Sequence, residues 1–313
     1  MLELHFKTIT PLFIGNGEVL EEDFHYKKTE SELKKYNQIN LIADLAKNNI
    51  INFEDDKTVE TLTEKISKQA YEQESFFDYT VGLDTSFTCY IANNDQNGKN
   101  AVNEFINENG RFYIPGSTIK GCLITVLDLE KSEDDTAETG CPSNVSVLEY
   151  VNDESPKRKF IIRDSEPLSS DKFEVIHYER PVYQNFIALK AGTEFVIEIP
   201  KHGIVEKKVL EDGIKAYFKS QIILAKNQLD KYEKKHKKYL PFLAALVKIE
   251  EKQDPLLINI GFGGGSWFKI KKGKIPKFNK KGRNEIPITT YYYGESPNLI
   301  HIGWCSVEIV EKT

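Results

Sequence analysis

Asn259-Ile260-Gly261-Phe262-Gly263-Gly264-Gly265-Ser266-Trp267-Phe268-Lys269 sets four glycines within five residues, directly behind the apolar run 256–260. The run reads as a short strand and the glycines as the turn that leaves it. With no Cβ atoms in the way, the main-chain N–H groups of such a turn can come close to a flat or charged ligand. No Gly-Lys-Ser/Thr follows, so the stretch is not a nucleotide P-loop. It also lacks the strand-to-helix setting of a dinucleotide-binding βαβ unit. Two readings stay open: a plain hairpin connection, or a main-chain cradle for a phosphodiester strand. Trp267 and Phe268 are correspondingly core residues or rings on which bases stack.

Further out, the apolar pattern predicts a mixed fold. Leu2, Leu4 and Phe6 alternate with polar residues and predict a strand that ends at Thr10-Pro11, with Gly15-Asn16-Gly17 as a turn. Val81, Leu83, Thr85, Phe87, Cys89 and Ile91 fall on one face of a second strand, and residues 93–100 read as a polar loop. Residues 159–163, 195–199 and 302–310 read as further strands. Helical patterns cover 39–49 and 58–72, polar enough for a surface insertion, and about 213–252, broken near Pro241. Strands and helices interleave without long βαβ repeats, which indicates an α+β chain built on antiparallel sheet.

Composition sets the bounds. The 313 residues suffice for two domains or for one with large insertions, and 40% hydrophobic against 29% charged content predicts a folded core. No apolar run is long enough to cross a membrane, and Met1–Phe6 lacks the basic start of a secretion signal. Cys89, Cys122, Cys141 and Cys305 show no zinc spacing and read as reduced thiols of a cytoplasmic protein. The net charge of −6 hides a split: residues 1–156 hold 13 Lys+Arg against 29 Asp+Glu, and residues 157–313 hold 29 against 19. A basic half is suited to an anionic partner, or is simply a solvated surface.

Phe112-Tyr113-Ile114-Pro115-Gly116 leads into Ser117-Thr118-Ile119-Lys120-Gly121-Cys122-Leu123, a turn followed by an N-cap serine and an apolar helix. A helix start offers unpaired N–H groups to an anion. Lys120 so close to that end is disfavoured by about 0.3–1 kcal/mol, a penalty that a bound phosphate reverses. The alternative is an ordinary capped helix. Two basic clusters, Lys269 to Arg283 and Lys231 to Lys238, are phosphate tracks or solubilising faces. The six histidines are scattered. His25 is a candidate general base, or a structural histidine. Asp23, Asp164 and Asp171 form no metal constellation, and no Ser/His/Asp order is legible.

Four segments together resemble the RAMP superfamily of CRISPR-associated RNA-binding proteins. Thr10-Pro11-Leu12-Phe13-Ile14-Gly15-Asn16-Gly17-Glu18 is similar to that family's first strand and turn. Tyr113-Ile114-Pro115-Gly116-Ser117-Thr118-Ile119-Lys120-Gly121 is similar to its "PGSSIKG" helix start, Gly261–Ser266 to its C-terminal glycine-rich loop, and His301-Ile302-Gly303-Trp304 to its last strand. Ile124 and Thr125 stand where many relatives carry an arginine, and His301-Ile302 where Pro-Leu is usual. Order and spacing best match the type III-A effector (Csm complex) subunit that caps the three-prime end of the CRISPR RNA.

The resemblance implies a ferredoxin-like (RRM-type) core over residues 1–200, with a helical insertion around 28–80 and an acidic loop around 130–157. It places a helical region and the glycine-rich loop in 201–313. It implies sibling RAMP subunits and CRISPR RNA as partners, recruited nucleases, no cofactor, no metal and no catalysis by this chain. The RNA-binding set it points to is Gly116, Ser117, Thr118, Lys120, Gly121, Arg163, Gly261, Phe262, Gly263, Gly264, Gly265, Ser266, Trp267 and Lys269. A metal-independent endoribonuclease using His25 is the alternative within the superfamily. A scaffold that docks a basic partner through its acidic half is compatible with either reading.

Overall fold

The computed structural model describes residues 1–51, 62, 66, 73–94, 100–127, 161–178, 184–200, 205–231, 256–262, 278–280, 283–285, 292–293 and 300–312. In chain order the main elements are β1 (Leu2–Thr8), β2 (Gly15–Leu20), β3 (Tyr26–Lys28), β4 (Glu32–Tyr36), α1 (Gln38–Lys47), β5 (Phe77–Leu83) and α2 (Thr85–Asn94). There follow β6 (Val102–Phe105), α3 (Gly116–Leu127), β7 (Phe173–Tyr178), β8 (Gln184–Leu189), β9 (Glu194–Ile199), α4 (Lys207–Lys231), β10 (Leu256–Asn259) and β11 (Trp304–Glu311). Two compact units share them. One comprises Met1–Phe13, Tyr113–Glu166 and Lys190–Thr313, the other Ile14–Phe112 and Pro167–Leu189.

The first unit is built on a four-stranded sheet in the order β9-β1-β11-β10, antiparallel at every pairing. Alternation in β1 decides its two faces. Leu4 lies opposite Ile197 and Ile309, and Phe6 opposite Phe195 and Val307. All six are buried, with the rings of Phe6 and Phe195 stacked at 4.9 Å. The intervening residues carry charge: Lys7 pairs with Glu194 at 2.9 Å, and Glu3 with Lys312 and His5. Hydrogen bonds from Lys312 and then His5 hold the Glu3 carboxyl below its ordinary range. Helix α4 lies against β10 and β11, with Phe218 edge-on to Trp304 at 5.8 Å.

The second unit holds a sheet path β2-β6-β8-β7-β5-β4-β3, antiparallel except for β6 with β8 and β5 with β7. Phe105, Phe112 and Phe173 form its aromatic centre, with Phe112 and Phe173 4.2 Å apart. A polar network crosses the sheet. Tyr79 and Asn16 each donate to the Glu104 carboxylate at 2.6 Å, and the Lys35 ammonium lies 3.2 Å from it. Lys35 also faces Asp78 at 3.7 Å.

The strand over 2–8, the strand over 194–199, the closing strands and a long helix ending beyond residue 230 are present, that helix opening at Lys207. The strand expected to run on through Ile91 stops at Leu83. Asp84 caps a helix there, its carboxylate accepting the Ser86 N–H at 2.7 Å and its carbonyl those of Phe87 and Thr88 at 3.1 Å. Gly15-Asn16-Gly17 lies within strand β2 at a register shift, not in a turn between strands. The helix at 39–49 is more than polar decoration: Leu41 and Leu45 are fully buried with Tyr36, Ile51 and Ile66. Residues 161–163 form no strand. Most of 58–72, residues 130–157, 159–160, 179–181 and 232–252 lie outside the described residues, as do most of the two basic clusters.

Two outcomes follow for stability. Phe6→Ala removes a buried stacked ring from the middle strand, and about 3–5 kcal/mol should be lost in chemical denaturation. Burial alone would raise the Glu104 carboxyl, but the Tyr79, Lys35 and Asn16 contacts outweigh it and hold it below its ordinary 4.5. A carboxyl with a depressed folded pKa contributes stability above its unfolded pKa and loses it as pH falls. Urea melts should therefore weaken below about pH 4.5, and Glu104→Gln should flatten that dependence.

Candidate nucleic-acid interface

The candidate residues gather in the first unit around α3. Ile119, Leu123, Val126 and Leu127 bury one side of this helix, whereas Ser117 and Gly121 are exposed and Thr118 and Lys120 half-buried. Helix α4 packs on the buried side, where Gly213 lies close to the side chains of Val126 and Leu127.

The start of α3 is fastened by a strap, residues 161–166. Ser165 N–H donates to the Ile114 carbonyl at 3.0 Å, and Ile114 N–H to the Ser165 hydroxyl at 2.9 Å. Gly116 N–H donates to the Asp164 carboxylate at 2.7 Å. Gly116 is the first residue of the helix, and Ser117 lies inside its first turn, so the expected serine cap is replaced by Asp164. A carboxylate suits the positive end of a helix, and the contact occupies the N–H that a phosphate would otherwise take. Gly116 is also required by space, because a Cβ would collide with the main-chain oxygens of Ile162 and Arg163. Gly121 is under no such demand: nothing lies within 4 Å of the point where a Cβ would stand. Arg163 Nη1 donates to Glu198 at 2.7 Å on a largely exposed side chain.

The base of the glycine-rich loop is fixed just as firmly. Asn259 ends β10 opposite Trp304, and its side chain donates to the Ile302 carbonyl at 3.0 Å. Ile260 N–H donates to Gly303 at 2.8 Å, Gly303 N–H to Pro11 at 2.8 Å and Phe262 N–H to Phe13 at 2.9 Å. Gly303 adopts φ +81 and a Cβ there would strike the Ile260 carbonyl, so glycine is needed on both counts. Gly261 also lies in the left-handed region, at φ 72. The Phe262 ring, edge-on to Phe13 at 5.9 Å, remains 36% exposed.

A thiol hydrogen bond joins α3 to the end of β10. Cys122 Sγ on α3 donates to the Asn259 carbonyl at 3.4 Å. Lys120 and Gly121 thus precede a residue that touches the strand end from which the loop leaves. Ser117, Thr118, Lys120 and Gly121 precede Cys122 on α3, and Gly261 and Phe262 follow Asn259 at the end of β10. Gly263, Gly264, Gly265, Ser266, Trp267 and Lys269 lie outside the described residues. Sequence alone does not single out Asp164 or Cys122 for this site, since neither stands near its partner along the chain.

His25 belongs to the other unit. Its Nδ1 accepts the Glu21 N–H at 3.0 Å, and its ring meets Phe24 edge-on at 4.6 Å. Burial lowers its pKa. Because Nδ1 accepts a main-chain N–H, the neutral ring carries its proton on Nε2, an arrangement for holding a turn. Among the described residues no group of His, Cys, Asp or Glu could hold a metal, no disulfide joins Cys89, Cys122 or Cys305, and no helix is long and apolar enough to cross a membrane.

The RAMP superfamily model matches residues 5–269, and the chain belongs to that superfamily. It is 24% identical over 337 residues to the CRISPR system Cms protein Csm5 of Methanocaldococcus jannaschii, covering 91% of this chain and 75% of that one. A chain in the cryo-EM structure of a type III-A Csm–crRNA–target RNA ternary complex is similar in fold, with a TM-score of 0.64 and 18% identity over 98% of this chain and 100% of that chain. The crystal structure of T. onnurineus Csm5 is similar at a TM-score of 0.54 and 18% identity, over 84% and 90% of the two chains.

The two glycines of α3 should separate in mutagenesis. Gly116→Ala should cost about 2 kcal/mol or more in thermal or urea unfolding. Gly121→Ala, in an exposed helical position, should be neutral or stabilising by about 0.5–1 kcal/mol.

Proposed function

We propose that this chain is a guide-RNA-binding RAMP subunit of a type III-A effector complex, non-catalytic and cytoplasmic, that holds the three-prime part of the CRISPR RNA and supports its maturation. The observation that carries the reading is the Cys122–Asn259 contact, which ties the second turn of α3 to the end of the strand that leads into the glycine-rich stretch. The similarity to proteins named Csm5, and to a chain from a complex containing crRNA and target RNA, supports the partners. The superfamily's ferredoxin-like core would be the antiparallel sheet β9-β1-β11-β10 with α3 and α4, and the two glycine-bearing turns would face the guide from it.

In this reading Ser117, Thr118 and Gly121 line the helix side of the groove, and Gly261 with Gly263–Ser266 the loop side. Lys120, Arg163 and Lys269 neutralise phosphates, with Arg163 shared with Glu198, and Phe262 or Trp267 meets a base. Gly116 serves the site through close packing, since its N–H is given to Asp164. Contacts to the sugar-phosphate backbone make binding tolerant of sequence and sensitive to salt.

Guide retention in a reconstituted complex tests this. Lys120→Ala should weaken retention and lower the salt slope by about 0.7, one single-stranded phosphate contact. Gly264→Asp should weaken it further by putting a carboxylate in the loop. Unchanged retention in both variants would remove these turns from the account. Pure protein incubated with repeat RNA in EDTA should leave it intact; discrete cleavage abolished by His25→Ala would instead establish the endoribonuclease.

A further inference from the structure

We propose that Asn259 is the positioning residue that fixes Ile260, Gly261 and Phe262, the base of the glycine-rich stretch, against α3 and the lead into β11. The inference rests on the RNA-binding reading and adds a residue to it. Asn259 is 5% exposed, so it acts from beneath the surface. Two of its polar groups are committed. The side-chain amide donates to Ile302 at 3.0 Å, and the main-chain carbonyl accepts the Cys122 thiol at 3.4 Å. One residue thus binds the residues leading into β11 and the second turn of α3 to the end of β10. The next three residues extend the tie, through Ile260 to Gly303 and Phe262 to Phe13.

The chemistry is specific to an amide. Ile302 presents a carbonyl, so the side chain opposite must donate, and among residues of this size only asparagine does so. Aspartate fills the same space but turns an oxygen towards that carbonyl and leaves a buried charge, which expels the side chain or shifts the strand end. Cys122 is replaceable by serine, whose hydroxyl donates equally well, but not by alanine.

Two readouts on the full chain separate the proposal from the reading beneath it. The first is amide hydrogen exchange at residues 260–262; the second is anisotropy of a labelled single-stranded repeat RNA across a salt series. Ile197→Ala, in β9 and remote from the loop base, serves as a control for destabilisation. Asn259→Asp should speed exchange at 260–262 about tenfold or more and weaken RNA binding about tenfold, beyond any effect of Ile197→Ala at matched melting temperature. Cys122→Ala should do the same to a lesser degree, with Cys122→Ser restoring wild-type values. Unchanged exchange in Asn259→Asp overturns the positioning role, whatever the RNA does. Faster exchange with undiminished RNA binding overturns the link between loop position and binding. Wild-type protein that binds no RNA, in isolation and in complex, defeats the RNA reading while the exchange data still judge Asn259.

Discussion

The first unit depends on β1 finding both of its neighbours. Its backbone is paired on one side with residues 194–199 and on the other with 305–311, so the middle of the sheet is made of segments nearly 200 and 300 residues distant along the chain. Such pairings carry a large loop-closure cost before any contact offsets it. The compensation comes from one face, where Leu4 and Phe6 meet four apolar partners in register. A slip by one residue would turn Glu3, His5 and Lys7 inward, and the ion pairs with Lys312 and Glu194 on the far face hold the same register from outside. Everything at the candidate interface is hung from this sheet: β10 and β11 supply the loop base, and β9 receives the strap through the Arg163 N–H on Glu198.

The site in turn is a matter of where glycine is obligatory. Gly116 and Gly303 stand where main chain meets main chain, and neither tolerates a side chain. Gly121 and Gly261 have different reasons: an exposed helix surface, and a left-handed backbone. A glycine-rich motif therefore mixes residues that let the protein pack with residues that leave room for something else. The sequence alone shows them as one pattern.

That distinction marks how far the chain can be read in advance. The strong alternation of residues 2–8 and the apolar period of α3 are legible because each element announces its own periodicity. The glycine stretches are legible as places of close approach. Helix α2 escapes such a reading because Phe87, Cys89 and Ile91 alternate as a strand would, while the deciding feature is one capping carboxylate at Asp84. The replacement of Ser117 by Asp164 as the cap, and the Cys122–Asn259 tie, depend on partners tens to more than a hundred residues away. No local pattern encodes them; they arise only when the sheet brings distant segments together.

The Asp164 contact has a wider consequence. A carboxylate delivered by its own chain acts at an effective concentration that dissolved ions do not reach. The first amide of α3 is accordingly closed to free phosphate or sulfate, however basic the surroundings. Ionic competitors are therefore denied that one donor, whatever else on the surface they reach.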